Sequence, residues 1–558
     1  MSRFWVSPGV AYLTRGFLSV FFPTASSVII IQRLASLQGF RVPHGFCPWW
    51  FWAQPLWGLL LIFSLMSQRR KATRLGARLV PRVQGKWPGN LDKVVDIFMR
   101  LENEYLGIIS TMLVTDHQNY VKGVKFGKTV DSVLGTGVFN SDGNLQHAYR
   151  LHRTMTRPFF NHDRISHFEI FDRHVNRTIA LAKERFKMDL AIDFQDLISR
   201  FTLDSASEFL FGHCTDSLSA ELPFPRNTGE STDTIQRDII AAFSDAFSQA
   251  QHAISRRLIL GSTWPMTEIL ADSTAQDMKV VSEFLDPIFE AALRRHSTAA
   301  KSDENNTAGN ETLVDHLVKL TSDFKVIKDE TLNILLAGRD SITSALTSAI
   351  YLLAMHPEVL SRLREEIISK FGLSGVPTHG DIKEMKYMQA FLNGAYSHFL
   401  SDVEAPLTYF RNNTPLPSPV RSPISVFLMH RRTDLWGPDD KELELPLEFD
   451  PDRWLDERLQ KYLLADPSIF LPFNAGPRNC LGQKLAYNQM SFVLIRLLQI
   501  FSAIALSPEP SMCPPAWWAE KDGRAAIERF KPKNHVLLYA EGGMWVKMLA
   551  VDDVEVIQ

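Results

Sequence analysis

A chain of 558 residues, 45% of them hydrophobic and with a formal net charge of −2, can bury a large core and carries no overall basic excess. That balance argues against nucleic acid as a partner. Four cysteines (Cys47, Cys214, Cys480 and Cys513), scattered and without CxxC spacing, argue against a disulfide framework or a structural zinc site, so any special cysteine acts alone.

The first 85 residues differ from the rest. An apolar stretch runs from Phe17 to Ile31, and a second, from Phe46 to Met66, carries no charge over a length that crosses a bilayer as a helix. Arg69, Arg70, Lys71, Arg74, Arg78 and Arg82 follow, which puts that flank on the cytoplasmic side. The sequence therefore predicts a membrane-anchor region over residues 1–85 and a cytosolic catalytic domain over residues 86–558. A signal peptide and an apolar core helix are the competing readings; the first is weakened by the lack of a clear cleavage site, the second by the flanking charges. The number of spans stays open, because Pro48 and Pro55 interrupt the second stretch.

Beyond Lys86, helix-period segments dominate: Leu91 to Asn103, Ser166 to Phe186, Phe194 to Phe211, Asp238 to Ser255, Met278 to His296 and Lys328 to Met355. Short β-like runs occur at Ile424 to Leu428, Val536 to Tyr539 and Met544 to Leu549. This predicts a mainly α domain with small β-sheets, in one composition regime and hence one large unit. Between His296 and Thr312 the chain is polar and reads as a loop between helices. Glycosylation sequons stand at Asn176, Asn305, Asn310 and Asn412; a cytosolic domain leaves them idle.

The densest chemistry lies at Phe473-Asn-Ala-Gly476-Pro-Arg478-Asn-Cys480-Leu-Gly482. The glycines let the backbone turn tightly beneath a flat macrocycle, and an arginine such as Arg478 pairs bidentately with a carboxylate. Residues Gly482 to Ile500 read as an amphipathic helix, so Cys480 stands at a helix N-terminus, where free amides and the dipole favour a thiolate. A buried structural cysteine in a glycine-containing loop is the competing reading.

This pattern, F-x-x-G-x-R-x-C-x-G, resembles the cysteine loop of the cytochrome P450 family of haem-thiolate monooxygenases. The resemblance implies that Cys480 is the axial ligand of a haem b iron, that Phe473, Gly476 and Gly482 shape the loop, and that Arg478 holds a haem propionate. An axial thiolate promotes O–O cleavage. Family members carry a long central helix with an [AG]-G-x-[DE]-T-[TS] signature, and Ala337-Gly338-Arg339-Asp340-Ser341-Ile342 is similar to it. Asp340 and Ser341 are thereby expected to hold water at a locally opened helix turn and relay protons. Ser341 keeps the hydroxyl of the usual threonine without its methyl, and Ile342 removes the second hydroxyl. A W-x-x-x-R element that binds a propionate falls on Tyr149 and Arg153, with tyrosine in place of tryptophan.

Phe449-Asp-Pro-Asp-Arg453-Trp454 is similar to the family's P-x-R-[FW] segment, whose arginine pairs with an E-x-x-R motif one helix earlier. That motif aligns on Gly394-Ala395-Tyr396-Ser397, where glutamate and arginine are both missing, so Arg453 needs Glu404, Asp402 or another acid in their place. The resemblance covers roughly residues 86 to 558 and looks closest to fungal membrane-bound members that hydroxylate alkanes, fatty acids or terpenoid skeletons. It implies an endoplasmic-reticulum membrane location, O₂ and a small apolar substrate, and electrons from NADPH through NADPH–cytochrome P450 reductase. The chain has no nucleotide-binding fingerprint of its own. Two further readings remain: a haem-binding protein without monooxygenase activity, and a haem-thiolate isomerase or dehydratase, against which the acid and hydroxyl at Asp340 and Ser341 speak.

Overall fold

The computed structural model describes residues 7–14, 66–67, 70, 120–121, 124–141, 152–160, 168–225, 239–299, 311–399, 407–411, 421–424, 426–430, 433–436, 449–464, 466–507, 509–520, 527–534 and 537–551. The apolar stretches 17–31 and 46–65, the helix expected at 91–103, Tyr149, Asp402, Glu404, and the sequons at Asn305, Asn310 and Asn412 lie outside the described residues. Among the described residues no helix is long and apolar enough to cross a membrane.

The chain divides into two units, one of residues 1–91 and 260–275, the other of residues 92–259 and 276–558. In the first, a helical segment at 8–14 lies against residues 265–269: the amide of Gly9 donates to the carbonyl of Glu268 at 3.0 Å. A Cβ at Gly9 would come within 2.3 Å of Ile269 Cα, so the contact admits only glycine. Val10, Tyr12, Leu13, Met266, Ile269 and Leu270 leave this unit with exposed apolar surface, Leu270 at 96%.

In chain order the elements are β1 (Tyr120–Val121), α1 (Val124–Leu134), α2 (Glu169–Lys187), β2 (Ile192–Asp193), α3 (Phe194–Phe211), α4 (Ile239–Leu260), α5 (Ala275–Ala299), α6 (Leu313–Leu320), α7 (Phe324–Met355), α8 (Pro357–Phe371), α9 (His379–Glu384), α10 (Lys386–Phe399), β3 (Leu407–Arg411), β4 (Arg421–Ile424), α11 (Gln483–Ile500), β5 (Phe501–Leu506), β6 (Pro532–Asn534), β7 (Leu538–Ala540) and β8 (Trp545–Ala550). The strands form small antiparallel sheets, ordered β1-β3-β4, β2-β8-β5 and β6-β7. Mainly helical architecture with small sheets is thus as expected. The helix ends follow from side chains that satisfy orphan backbone groups. Asp193 accepts from the amides of Gln195 and Asp196 to start α3, which ends on Gly212 at φ 69°. Asp323 accepts from Lys325 and Val326, starting α7 four residues before the periodicity alone suggests.

One expected strand is corrected. The pairing of β4 with β3 ends at Ile424, and Val426–Met429 form a helical turn closed by the amide of His430 on the carbonyl of Val426 at 2.9 Å. Four apolar residues in a row fit a strand or a helical turn equally well, and the local hydrogen bond decides between them. Asn176 sits within α2, its side chain bonded to Asp172 and Arg496.

Two clusters of buried apolar side chains make up most of the core, and α7 belongs to both. Its first half, with Ile327, Leu332, Leu335 and Leu336, packs with α1, α3, α4, α5 and α6. Its second half, with Ile342, Leu346, Ile350 and Leu353, packs with α2, α3, α8, α10, α11 and the sheet of β5 and β8. Residues 337–341 fall between the two.

α10 carries the position where the family's glutamate belongs. Gly394 there lies against the Phe449 and Trp454 side chains, and a Cβ would meet Phe449 Cε2 at 3.0 Å. That ring is buried and held by Phe391 at 5.7 Å and His356 at 5.4 Å, so it has little room to yield. Aromatic packing thus fills the space in front of Gly394. Gly394→Glu, although it brings in the family's residue type, is expected to lower stability by about 1–3 kcal/mol through overpacking; a urea midpoint equal to or above wild type would contradict this.

Candidate functional site

The cysteine loop is tied at its start by His430, whose Nε2 accepts from the amide of Leu471 at 3.0 Å. Asn474 (φ 60°) and Gly476 (φ 65°) both take left-handed backbone, which turns the chain twice within three residues. The Oδ1 of Asn474 accepts from the amide of Ala475 at 2.9 Å, local bonding that makes asparagine tolerable there. A 3₁₀ turn, Gly476–Arg478, follows, and the amide of Cys480 returns to the carbonyl of Phe473 at 2.8 Å. α11 begins just beyond, with Gly482 as N-cap and the Ala486 amide on its carbonyl at 2.8 Å. Cys480 therefore stands two residues before the cap, with no acidic side chain in the first turn to oppose a thiolate. Its side chain is exposed and not in a disulfide.

Around the loop the structure collects several of the expected residues. Arg153 donates through Nη2 to the side-chain carbonyl of Asn479, the residue between Arg478 and Cys480. Phe473 packs its ring on Tyr396 (4.8 Å) and Tyr487 (5.3 Å). Neither tyrosine is given a role by the sequence, although Tyr396 lies in the stretch on which the E-x-x-R motif aligns. Tyr396 is buried and donates to Met490 Sδ at 3.4 Å, and Tyr487 donates to Asn393 Oδ1 at 2.5 Å. Burial pushes the Tyr396 hydroxyl well above its ordinary value, with Tyr487 and Cys480 adding to the effect. Burial raises Tyr487 as well. Both thus remain neutral hydrogen-bond donors beneath the loop.

Asp340 and Ser341 sit on different faces of α7. The helix is continuous through this segment, so the opened turn expected there is absent. The Oγ of Ser341 donates to the carbonyl of Ala337 at 2.5 Å, the back-bond a serine makes in mid-helix. Ala337 and Ser341, one turn apart on one face, are partly exposed within a helix otherwise largely buried. Asp340, about 100° further round, lines a separate polar cavity with Arg339, Thr343 and Ser344. Burial raises the Asp340 carboxyl, with the Arg339 cation pulling the other way.

The donor set suits a haem. An exposed thiol, the Arg478 guanidinium and an aromatic side chain belong to a loop whose Gly482 has nothing within 4 Å of where a Cβ would lie, and Arg153 reaches that loop through Asn479. Such a set matches an iron macrocycle that needs one soft axial ligand and partners for two carboxylates.

A mainly helical fold with a cysteine loop of this geometry defines a haem-thiolate protein. The chain belongs to the cytochrome P450 family, whose model matches residues 107–395 and 412–518. The break between these stretches begins directly after Gly394-Ala395, where the E-x-x-R motif is lost. Among similar proteins are cytochrome P450 52E1 of Candida apicola, 33% identical over 421 residues (71% of this chain, 74% of the relative), and cytochrome P450 52A10 of Candida maltosa, 34% identical over 430 residues (73% and 76%). The cytochrome P450 monooxygenase himC of Aspergillus japonicus is 31% identical over 422 residues (72% and 69%). The chain is by family a cytochrome P450 monooxygenase, and the family's cofactor is haem b on a cysteine thiolate, supplied with electrons from NADPH through a reductase.

Proposed function

We propose that this protein is an endoplasmic-reticulum-anchored monooxygenase that inserts one oxygen atom of O₂ into a C–H or C=C bond of a small apolar substrate: a fatty acid, an alkane or a terpenoid-type secondary metabolite. Cys480 is the iron ligand in this reading, Arg478 and Arg153 hold the propionates with Tyr149 assisting, and Phe473, Gly476 and Gly482 form the seat. Haem bound there supplies the activation of O₂. Asp340 and Ser341 hold and move protons, and Leu336, Ala337 and Ile342 border the substrate. The observation that carries the reading is the exposed Cys480 thiol just before α11, with Arg153 bonded to the adjacent Asn479. Residues 1–85 form the anchor and residues 86–558 the cytosolic catalytic domain, which docks NADPH–cytochrome P450 reductase. The exposed Val10, Tyr12, Leu13, Met266, Ile269 and Leu270 of the first unit support a membrane-facing role for it.

The reduced, carbon-monoxide-bound spectrum tests the core of this reading. A thiolate-type Soret band is expected, followed by NADPH-dependent oxygenation of fatty acids, alkanes or terpenes with a reductase. A neutral-ligand band, or no haem, sinks it. A second reading, haem binding without turnover, is favoured by Gly394 and Ser397 in place of the charge pair. A thiolate band with no product from any of these substrate classes selects it.

A further inference from the structure

On the face of α7 that carries Asp340, the helices α3 and α4 and strand β7 border a polar cavity of about 550 Å³. Arg339 is its buried cation, 5% exposed. A charge in the middle of a helix that runs between two apolar clusters is costly unless its donors are engaged. Its Nη2 lies within hydrogen-bond reach of three hydroxyls, Ser199 (3.3 Å) on α3 and Ser244 and Ser248 (3.2 Å each) on α4. Its Nε lies 3.6 Å from Asp340 Oδ1. The guanidinium is therefore held at Nη2 from two neighbouring helices, its Nε and Nη1 making no hydrogen bond among the described residues, while the Asp340 carboxyl, which also meets Gln251 of α4, lies against it from α7 itself.

We propose that Arg339 is a positioning residue: held by the three serines, it keeps the Asp340 carboxyl turned into this cavity, so that protons reach Asp340 from the cavity and not along the Ala337–Ser341 face. The surroundings suit a proton store. From α3 and its cap, Asp193, Asp196 and Arg200 face the cavity; Asp245 and His252 do so from α4, Asp216 from the turn after α3, and Tyr539 from β7. Burial, with Asp196 beside it, pushes Asp193 up to about 7, and burial raises Asp196 against the pull of Arg200. Burial lowers His252, with Lys533 adding to it. Burial thus favours the neutral form of the carboxyls that line this space. Arg339 opposes the burial effect on Asp340, so its removal raises that carboxyl further and keeps it protonated to higher pH.

The position of the carboxyl does not depend on the monooxygenase reading, whereas its consequence for turnover does, and the test separates them. The infrared band of the protonated Asp340 carboxyl, identified as the band that Asp340→Asn abolishes, is titrated in the full-length protein. Its midpoint is expected to rise in Arg339→Gln and to return toward wild type in Arg339→Lys. It should also rise in the Ser244→Ala/Ser248→Ala double variant, which keeps the cation but removes two of its three anchors. An unchanged midpoint in either Arg339→Gln or the serine variant overturns the proposal; the serine variant decides alone if Arg339→Gln does not fold. In turnover, product formed per NADPH should fall about tenfold in Arg339→Gln, recover in Arg339→Lys, and leave the reduced carbon-monoxide spectrum unaltered. A wild-type protein without a thiolate band removes the monooxygenase reading and leaves the infrared titration to judge this one.

Discussion

Cys480→Ser is expected to abolish the thiolate-type Soret band of the reduced carbon-monoxide complex and to lower oxygenation below detection, with little change in the far-ultraviolet circular dichroism. The side chain is exposed, and the loop is held by backbone amides whose bonds serine leaves intact: Cys480 amide to Phe473 carbonyl, Asn479 amide to Gly476 carbonyl, Leu471 amide to the His430 ring. The substitution therefore acts on the ligand and not on the fold. A hydroxyl is far less acidic than a thiol and much the poorer soft donor, so the electron-rich axial ligand is lost. Should Cys480→Ser keep a thiolate band, another cysteine is the ligand and the assignment of the whole loop falls with it.

The largest expected loss of stability lies elsewhere, at Asp204 in the middle of α3. Its carboxylate is fully buried and accepts four hydrogen bonds: from Thr215 Oγ1 (2.6 Å), the amide and hydroxyl of Ser217 (2.7 and 2.8 Å) and the amide of Leu218 (3.0 Å). One side chain thus organises the turn that follows α3, and that turn contributes Ser217 and Ser219 to the polar cavity. In Asp204→Ala the buried amides of Ser217 and Leu218 lose their acceptor, at about 1–3 kcal/mol each, while the Ser217 hydroxyl still reaches the carbonyl of Arg200 at 3.1 Å; a net loss of about 3–5 kcal/mol is expected. Asp204→Asn keeps one acceptor oxygen and should lose roughly half as much. Urea denaturation checks both; equal midpoints for Asp204→Ala and wild type would show that the turn is held by other means.

The cysteine loop was legible because every residue in it has a task that few alternatives perform. The same holds for α3, which has the bounds Phe194–Phe211 in both readings, since caps and periodicity agree there. Arg153 came from the likeness to the family's W-x-x-x-R element, and the structure brings it to Asn479 across more than 300 residues of chain. What sequence reasoning missed depended on long-range packing. Tyr396 and Tyr487 look like ordinary core aromatics until α10 and α11 bring them under Phe473. Asp340 and Ser341, adjacent in the chain, read as a pair, yet the helical rotation per residue parts them onto two faces. A signal for that was present: Arg339, a cation between buried neighbours, needs a polar space beside it. The expected strand at residues 424–428 failed for the opposite reason, because too short a run was asked to carry a periodicity.

The membership of α7 in two apolar clusters has a mechanical side. A single hydrogen-bonded rod of 32 residues, about 48 Å long, is gripped by separate cores at its two ends. It behaves as a strut: an axial shift or roll imposed at the Ile327–Leu336 end is passed toward the Ile342–Leu353 end, because close-packed cores transmit strain. Repacking around α4 and α5 to fit a bulkier guest would therefore be felt in the layer of α8, α10 and α11, on which the cysteine loop rests.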